Sequence, residues 1–97
     1  MPRRLYSDPD YIININGEQI LLEEVKQKIA IDLGTQIRES RKERGLTQAA
    51  LAKLSGVERA NIARIENGNL NTTFGTVIRL AEALGMRISI NLIEKAE

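Results

Sequence analysis

The spacing of apolar residues changes several times along the chain. In the stretch YIININGEQI, Ile13 and Ile15 stand two apart and are followed by Asn16-Gly17, the dipeptide best suited to a type I′ turn. A short N-terminal strand or hairpin is expected there. From Leu21 the interval becomes four: Leu21, Val25, Ile29, Leu33 and Ile37 recur with charged residues between them, which predicts an amphipathic helix. Gly34 is expected to bend or split it, since glycine in a helix costs about 1 kcal/mol relative to alanine, and Gly45 to end it. Thr47 is placed to cap a second helix of two turns with Leu51 and Leu54 inward. Gly56 stops that helix and Val57 fills the corner. A third helix turns Ile62 and Ile65 inward and ends at Asn67-Gly68. After the polar loop NLNTT, Thr72 or Thr73 caps a fourth helix whose buried face is Phe74, Val77, Leu80, Ala81 and Leu84, and Gly85 ends it.

The tail changes period once more. In MRISINLI, Met86, Ile88, Ile90 and Leu92 alternate with polar residues, the pattern of a half-buried strand. An apolar strand with no neighbour invites aggregation. Its partner is expected to be its twofold mate in a homodimer, with these four residues as the dimerisation contacts; pairing with the strand near residues 11–15 is the alternative.

Composition removes most catalytic chemistry. The 97 residues hold no cysteine and no histidine, so disulfides, thiolate metal sites and the commonest general base are missing. No enzyme activity, cofactor or metal is expected. Glu23 and Glu24 are adjacent and diverge on a helix, so they form no catalytic pair. No apolar run approaches the roughly 18 residues of a membrane span, and MPRRLYSDPD has no apolar core after its basic start; a cytoplasmic protein is expected. Net charge is only +1, yet residues 1–34 carry six acidic and four basic residues while residues 35–72 carry seven basic and four acidic. This asymmetry fits a polyanion-binding middle and an acidic arm facing a basic partner, or simply a solvated surface.

Counted from Gln48, Ala52 is fifth, Gly56 ninth, Val57 tenth and Ile62 fifteenth. Each position has a steric demand. Two steeply crossed helices need a small residue at the fifth, a left-handed turn at the ninth, and wedge-filling side chains at the tenth and fifteenth. With this spacing, and through IRESRKERGLTQAALAKLSGV, IARIENG and LAEALG, the chain resembles the Cro and phage-repressor-like helix-turn-helix family over roughly residues 35–85. The resemblance implies a mainly α, lambda-repressor-like bundle of the shorter, four-helix form, and a dimer on a palindromic operator. The expected division is an N-terminal arm at 1–34, a DNA-binding domain at 35–85 and a dimerisation strand and tail at 86–97.

The second helix of such a motif enters the major groove N-terminus first. Arg59, Ala60, Asn61 and Arg64 are therefore the expected base-reading residues, with arginine suited to guanine and the alanine methyl to thymine. By family likeness Thr47, Gln48, Asn67, Asn69, Asn71 and Thr72 are expected on phosphates, and Arg41 and Glu66 as a structural salt bridge. Competing readings remain: Asn67-Gly68 as a plain helix stop, Asn69 and Asn71 as turn formers, Arg59 and Arg64 as solvated surface. Glu58 either reads a cytosine amino group or sits at a helix N-terminus where the macrodipole favours it.

The flanks resemble antitoxins of the HigA and HipB type. That likeness implies a DNA-binding antitoxin that represses its own operon and neutralises a small basic, ribonuclease-type toxin, with the acidic arm as its docking element. A stand-alone dimeric repressor without a toxin partner is the alternative reading.

Overall fold

A computed structural model of the chain describes residues 12–15 and 18–94. Two short strands, β1 (Ile12–Ile15) and β2 (Glu18–Leu21), are followed by four helices: α1 (Leu22–Glu43), α2 (Gln48–Ser55), α3 (Arg59–Glu66) and α4 (Phe74–Ala83). The strands are antiparallel, with Ile12 opposite Leu21 and Ile15 opposite Glu18. The expected Asn16-Gly17 turn, and residues 1–11 of the acidic arm, lie outside the described residues.

α1 begins with Glu23 and Glu24 and closes with Arg41 and Lys42, each charge sign at the helix end whose dipole favours it. The helix runs unbroken through Gly34, which is buried and serves another purpose than a bend. A Cβ at position 34 would run into the carbonyl oxygen of Ile65 and come within 3.0 Å of that of Glu66. Only glycine lets α1 approach the end of α3 so closely. It also follows that the expected domain boundary at residue 34 falls inside one continuous helix.

Short caps set the remaining helices. Thr47 Oγ1 accepts the Ala50 amide at 3.0 Å, and Gly56 ends α2 at φ 76°, a conformation nearly free for glycine alone. Thr73 rather than Thr72 caps α4, accepting the Thr76 amide at 3.3 Å. The core gathers Ile37, Leu51, Val57, Ile62, Ile65, Leu80 and Leu84, with Leu33, Leu46, Ala52 and Ala83 packed around them.

Several sequence expectations need correction. The architecture was expected to carry a strand at each end and to pair its C-terminal strand across a dimer. The folded core is instead all-helical, and residues 86–94 form no strand. A strand exists only by exchanging backbone hydrogen bonds with a neighbour, and among the described residues no backbone lies beside this segment in ladder geometry. Leu54 and Phe74, expected inside, are 62% and 77% exposed. α2 is held through Leu51 and Ser55, and Leu54, about 60° round the helix from the first and about 100° from the second, falls on the flank of that buried face. Phe74 opens α4 one turn before Val77, the first residue of that helix to be buried.

Candidate nucleic-acid interface

α3 divides sharply into two faces. Ile62 and Ile65 have no exposed surface, while Glu58, Arg59, Ala60 and Arg64 are exposed and Asn61 is half-buried. Glu58 is the N-cap residue but makes no side-chain capping bond, so its carboxylate stands at the positive end of the helix dipole. Neither Arg59 nor Arg64 belongs to an ion pair among the described residues. Two uncompensated guanidinium groups therefore lie on one solvent-facing side of an eight-residue helix, where they offer planar, bidentate donors.

The end of α3 is fixed from beneath. The Glu66 carboxylate is fully buried and receives Arg41 Nε at 2.7 Å and Arg41 Nη2 at 3.0 Å. Arg41 Nη1 also donates to the Leu46 carbonyl at 2.8 Å, tying α1 to the turn before α2. Burial alone pushes the Glu66 pKa up; hydrogen bonds from Arg41 and Gln48 and the charges of Arg41 and Arg38 outweigh it, and the net shift is downward. The hydrogen bond to Glu66 raises the Arg41 pKa against its own desolvation. Both groups stay charged, as a buried pair must when each lone pair and proton has a partner.

A polar chain leads from this anchor to the outer face. Gln48 Nε2 donates to Glu66 Oε1 at 3.0 Å, and Gln48 Oε1 accepts from Arg59 Nη1 at 3.2 Å. The first residue of α2 thus bridges the buried carboxylate and the first arginine of α3. The sequence alone does not mark Arg38 as a site residue. It donates to the Asn67 side-chain oxygen at 2.9 Å and to the Glu66 carbonyl at 3.3 Å, holding the start of the loop after α3. The signal was its place three residues before Arg41, on the same side of α1.

Asn67 and Gly68 end α3, with the Gly68 φ at 85° and its amide bonded to the Ile65 carbonyl at 3.0 Å. Asn69 and Asn71 are exposed in the connection to α4 and Thr72 is half-buried. Thr47 Oγ1 is engaged in its cap. The structure thus gathers Gln48, Arg59, Arg64 and Asn67 around the buried Glu66 anchor and its helix; Met86, Ile88, Ile90 and Leu92 lie apart, in the segment after α4. Between the Asn67–Asn71 loop and the first half of α1 lies an open polar cleft of about 440 Å³, bordered by Glu23, Lys26 and Gln27.

The family of helix-turn-helix domains matches residues 32–88. An uncharacterised helix-turn-helix-type transcriptional regulator from Haemophilus influenzae is 36% identical over 69 residues, covering 70% of each chain. A chain of the HipA–HipB–O2–O3 complex is 28% identical with a TM-score of 0.60, over 67% of this chain and 92% of that one. A toxin–antitoxin module from Streptococcus pneumoniae is 27% identical with a TM-score of 0.61, over 76% and 83% of the two chains.

Proposed function

The chain belongs to the helix-turn-helix domain family, and from that premise we propose that it is a DNA-binding transcriptional repressor that reads its operator with α3. The observation that carries this reading is the two guanidinium groups of Arg59 and Arg64, outside any ion pair among the described residues, on the exposed face of a helix whose C-terminal end is locked by the Arg41–Glu66 pair. In the major groove such arginines grip guanine O6 and N7, and Ala60 offers a methyl to thymine. Asn61 lies beside them. Thr47, Gln48, Asn67, Asn69, Asn71 and Thr72 border the same face and suit phosphate oxygens. The protein acts in the cytoplasm as a homodimer on a palindrome, joined through Met86, Ile88, Ile90 and Leu92, three of which are exposed on the single chain. Binding of Arg64→Ala to operator and random duplexes by fluorescence anisotropy tests this. A loss of about 1–3 kcal/mol confined to the operator is expected; an equal loss on both would defeat base reading.

Likeness to chains of a HipA–HipB complex and of a toxin–antitoxin module favours a second role, as the antitoxin of a type II system that neutralises a ribonuclease-type toxin. In the first turn of α1, ahead of the matched domain, Glu23 pairs with Lys26 while Glu24 is in no ion pair among the described residues; with the acidic surplus of residues 1–34 this suits a basic partner. Purification of tagged full-length chain at native expression level, alongside a Glu23→Lys/Glu24→Lys variant, examines this reading. A small basic protein retained by the first and lost by the second is expected; recovery of the repressor alone in both would leave it without a toxin.

A further inference from the structure

Among the described residues, one side of α1 is only partly covered. Leu33, Ile29 and Leu22 lie seven, eleven and eighteen residues before Ser40, which is about two, three and five turns at 3.6 residues per turn. The four therefore stand in a row along the helix, with Val25 beside it. Leu33 touches the core, Leu22 and Val25 are half-buried, and Ile29 is 59% exposed. The inward line of α1, through Ala30, Gly34, Ile37 and Arg41, is a different one.

At the C-terminal end of the partly covered row, Ser40 Oγ donates to Met86 Sδ at 2.9 Å. The chain after α4 thus departs from the same side of α1. Beyond it Ile88 is half-buried, Ile90 and Ile93 are exposed, and Leu92 is 99% exposed. Resting on the homodimer proposed above, we infer that the Leu22–Val25–Ile29 row of one copy receives the segment 88–93 of a second copy.

Three features select this occupant. The first is length: Leu22 to Leu33 spans about 17 Å at 1.5 Å per residue, and Ile88 to Ile93 spans about 17 Å when extended. The second is that the described residues of a single chain leave Ile29 and most of segment 88–93 open although both are apolar, and a twofold arrangement covers both at once. At roughly 60–120 Å² per aliphatic side chain, the two symmetric contacts bury on the order of 1,200 Å², the lower end of a specific interface. The third is clearance. Gln27 reaches the Gly68 carbonyl and Ile31 lies against Gly68, and both residues sit on the opposite flank of α1 from the row. A second copy seated there leaves the loop after α3 free for DNA. Because residues 22–31 precede the matched domain, the row is an addition to the DNA-binding unit.

The chain has no native cysteine, which makes cross-linking specific. Full-length Ile29→Cys and Leu92→Cys proteins, one tagged, are mixed and oxidised with copper phenanthroline beside a Lys53→Cys control, and mass is followed by light scattering. The expected result is a disulfide-linked heterodimer for the 29/92 mixture and none for 53/92. A dimer by light scattering that forms no 29–92 link overturns the inference and leaves the homodimer reading standing. A monomer at every concentration overturns both. An Ile29→Cys/Leu92→Cys double variant that closes the disulfide within one dilute chain assigns the row to the chain's own tail and also overturns the inference. Ile29→Asp, at an exposed site that leaves the helix able to fold, should weaken dimerisation at least tenfold; unchanged dimerisation with unchanged helicity contradicts the docking.

Discussion

Replacing Gly34 by alanine reverses the usual sign of a glycine-to-alanine change in a helix. On an exposed face the substitution gains about 1 kcal/mol of helix propensity. At residue 34 the added methyl meets the carbonyl oxygens of Ile65 and Glu66, and it also lies 3.1 Å from the Glu66 carbonyl carbon. These are backbone atoms, and they cannot swing aside as a side-chain tip would. Arg38 and Arg41 hold them further, through the Glu66 carbonyl and carboxylate respectively. Overpacking of a buried contact costs about 1–3 kcal/mol, sometimes more; with an unyielding neighbour the upper end applies, and the propensity gain offsets about a third of it. The net expectation is a loss of about 2 kcal/mol. For a domain of this size that lowers Tm by roughly 8–16 °C, readable by thermal circular dichroism of the full chain at one fixed concentration. An unchanged or raised Tm would refute the view that glycine is there for close approach.

Other expectations follow from the same anchor. Arg41→Ala leaves the buried Glu66 carboxylate without its main partner and should cost about 3–5 kcal/mol in urea unfolding; a loss under 1 kcal/mol would mean the pair is dispensable. Since the folded pKa of Glu66 is lowered from 4.5, its contribution is fully present above that value and fades as pH falls through the folded pKa. Stability of the wild type should therefore decline below about pH 4.5, and Glu66→Gln, less stable at neutral pH, should show a shallower acid dependence; parallel pH profiles would contradict this. Thr47→Ala removes the α2 cap and should cost about 1 kcal/mol, measured by the same unfolding assay. Gln48→Ala should weaken operator and random DNA alike, whereas Arg59→Ala should relax preference at one base pair; reversed patterns would exchange their roles.

The helix-turn-helix was readable because its spacing encodes steric demands that single residues meet. Gly56 occupies the left-handed turn and Val57 and Ile62 fill the wedge, and each does so through local backbone geometry or unavoidable contact. Positions that depend on a distant neighbour were harder. Leu54, Phe74 and Ile29 have the right chemistry for a core, but periodicity reports which side of a helix is apolar, not whether another element lies opposite. Gly34 looked like a bend because the sequence does not say that α3 ends against it. The alternation from Met86 to Leu92 is a strand pattern without a backbone partner in one chain. The sequence does not mark Arg38, because a surface arginine acquires its role only when Asn67 and the Glu66 carbonyl arrive beside it.

Whether α3 reads DNA sequence through its exposed arginines is decided by selecting genomic fragments with the purified full-length chain and titrating the best one against random duplex at physiological salt. The expected result is a palindromic site with half-sites about 34 Å apart, bound at least about 10³-fold more tightly than random DNA, with most of that ratio lost in Arg64→Ala. Equal affinity for every duplex, or a ratio untouched by the substitution, would contradict it.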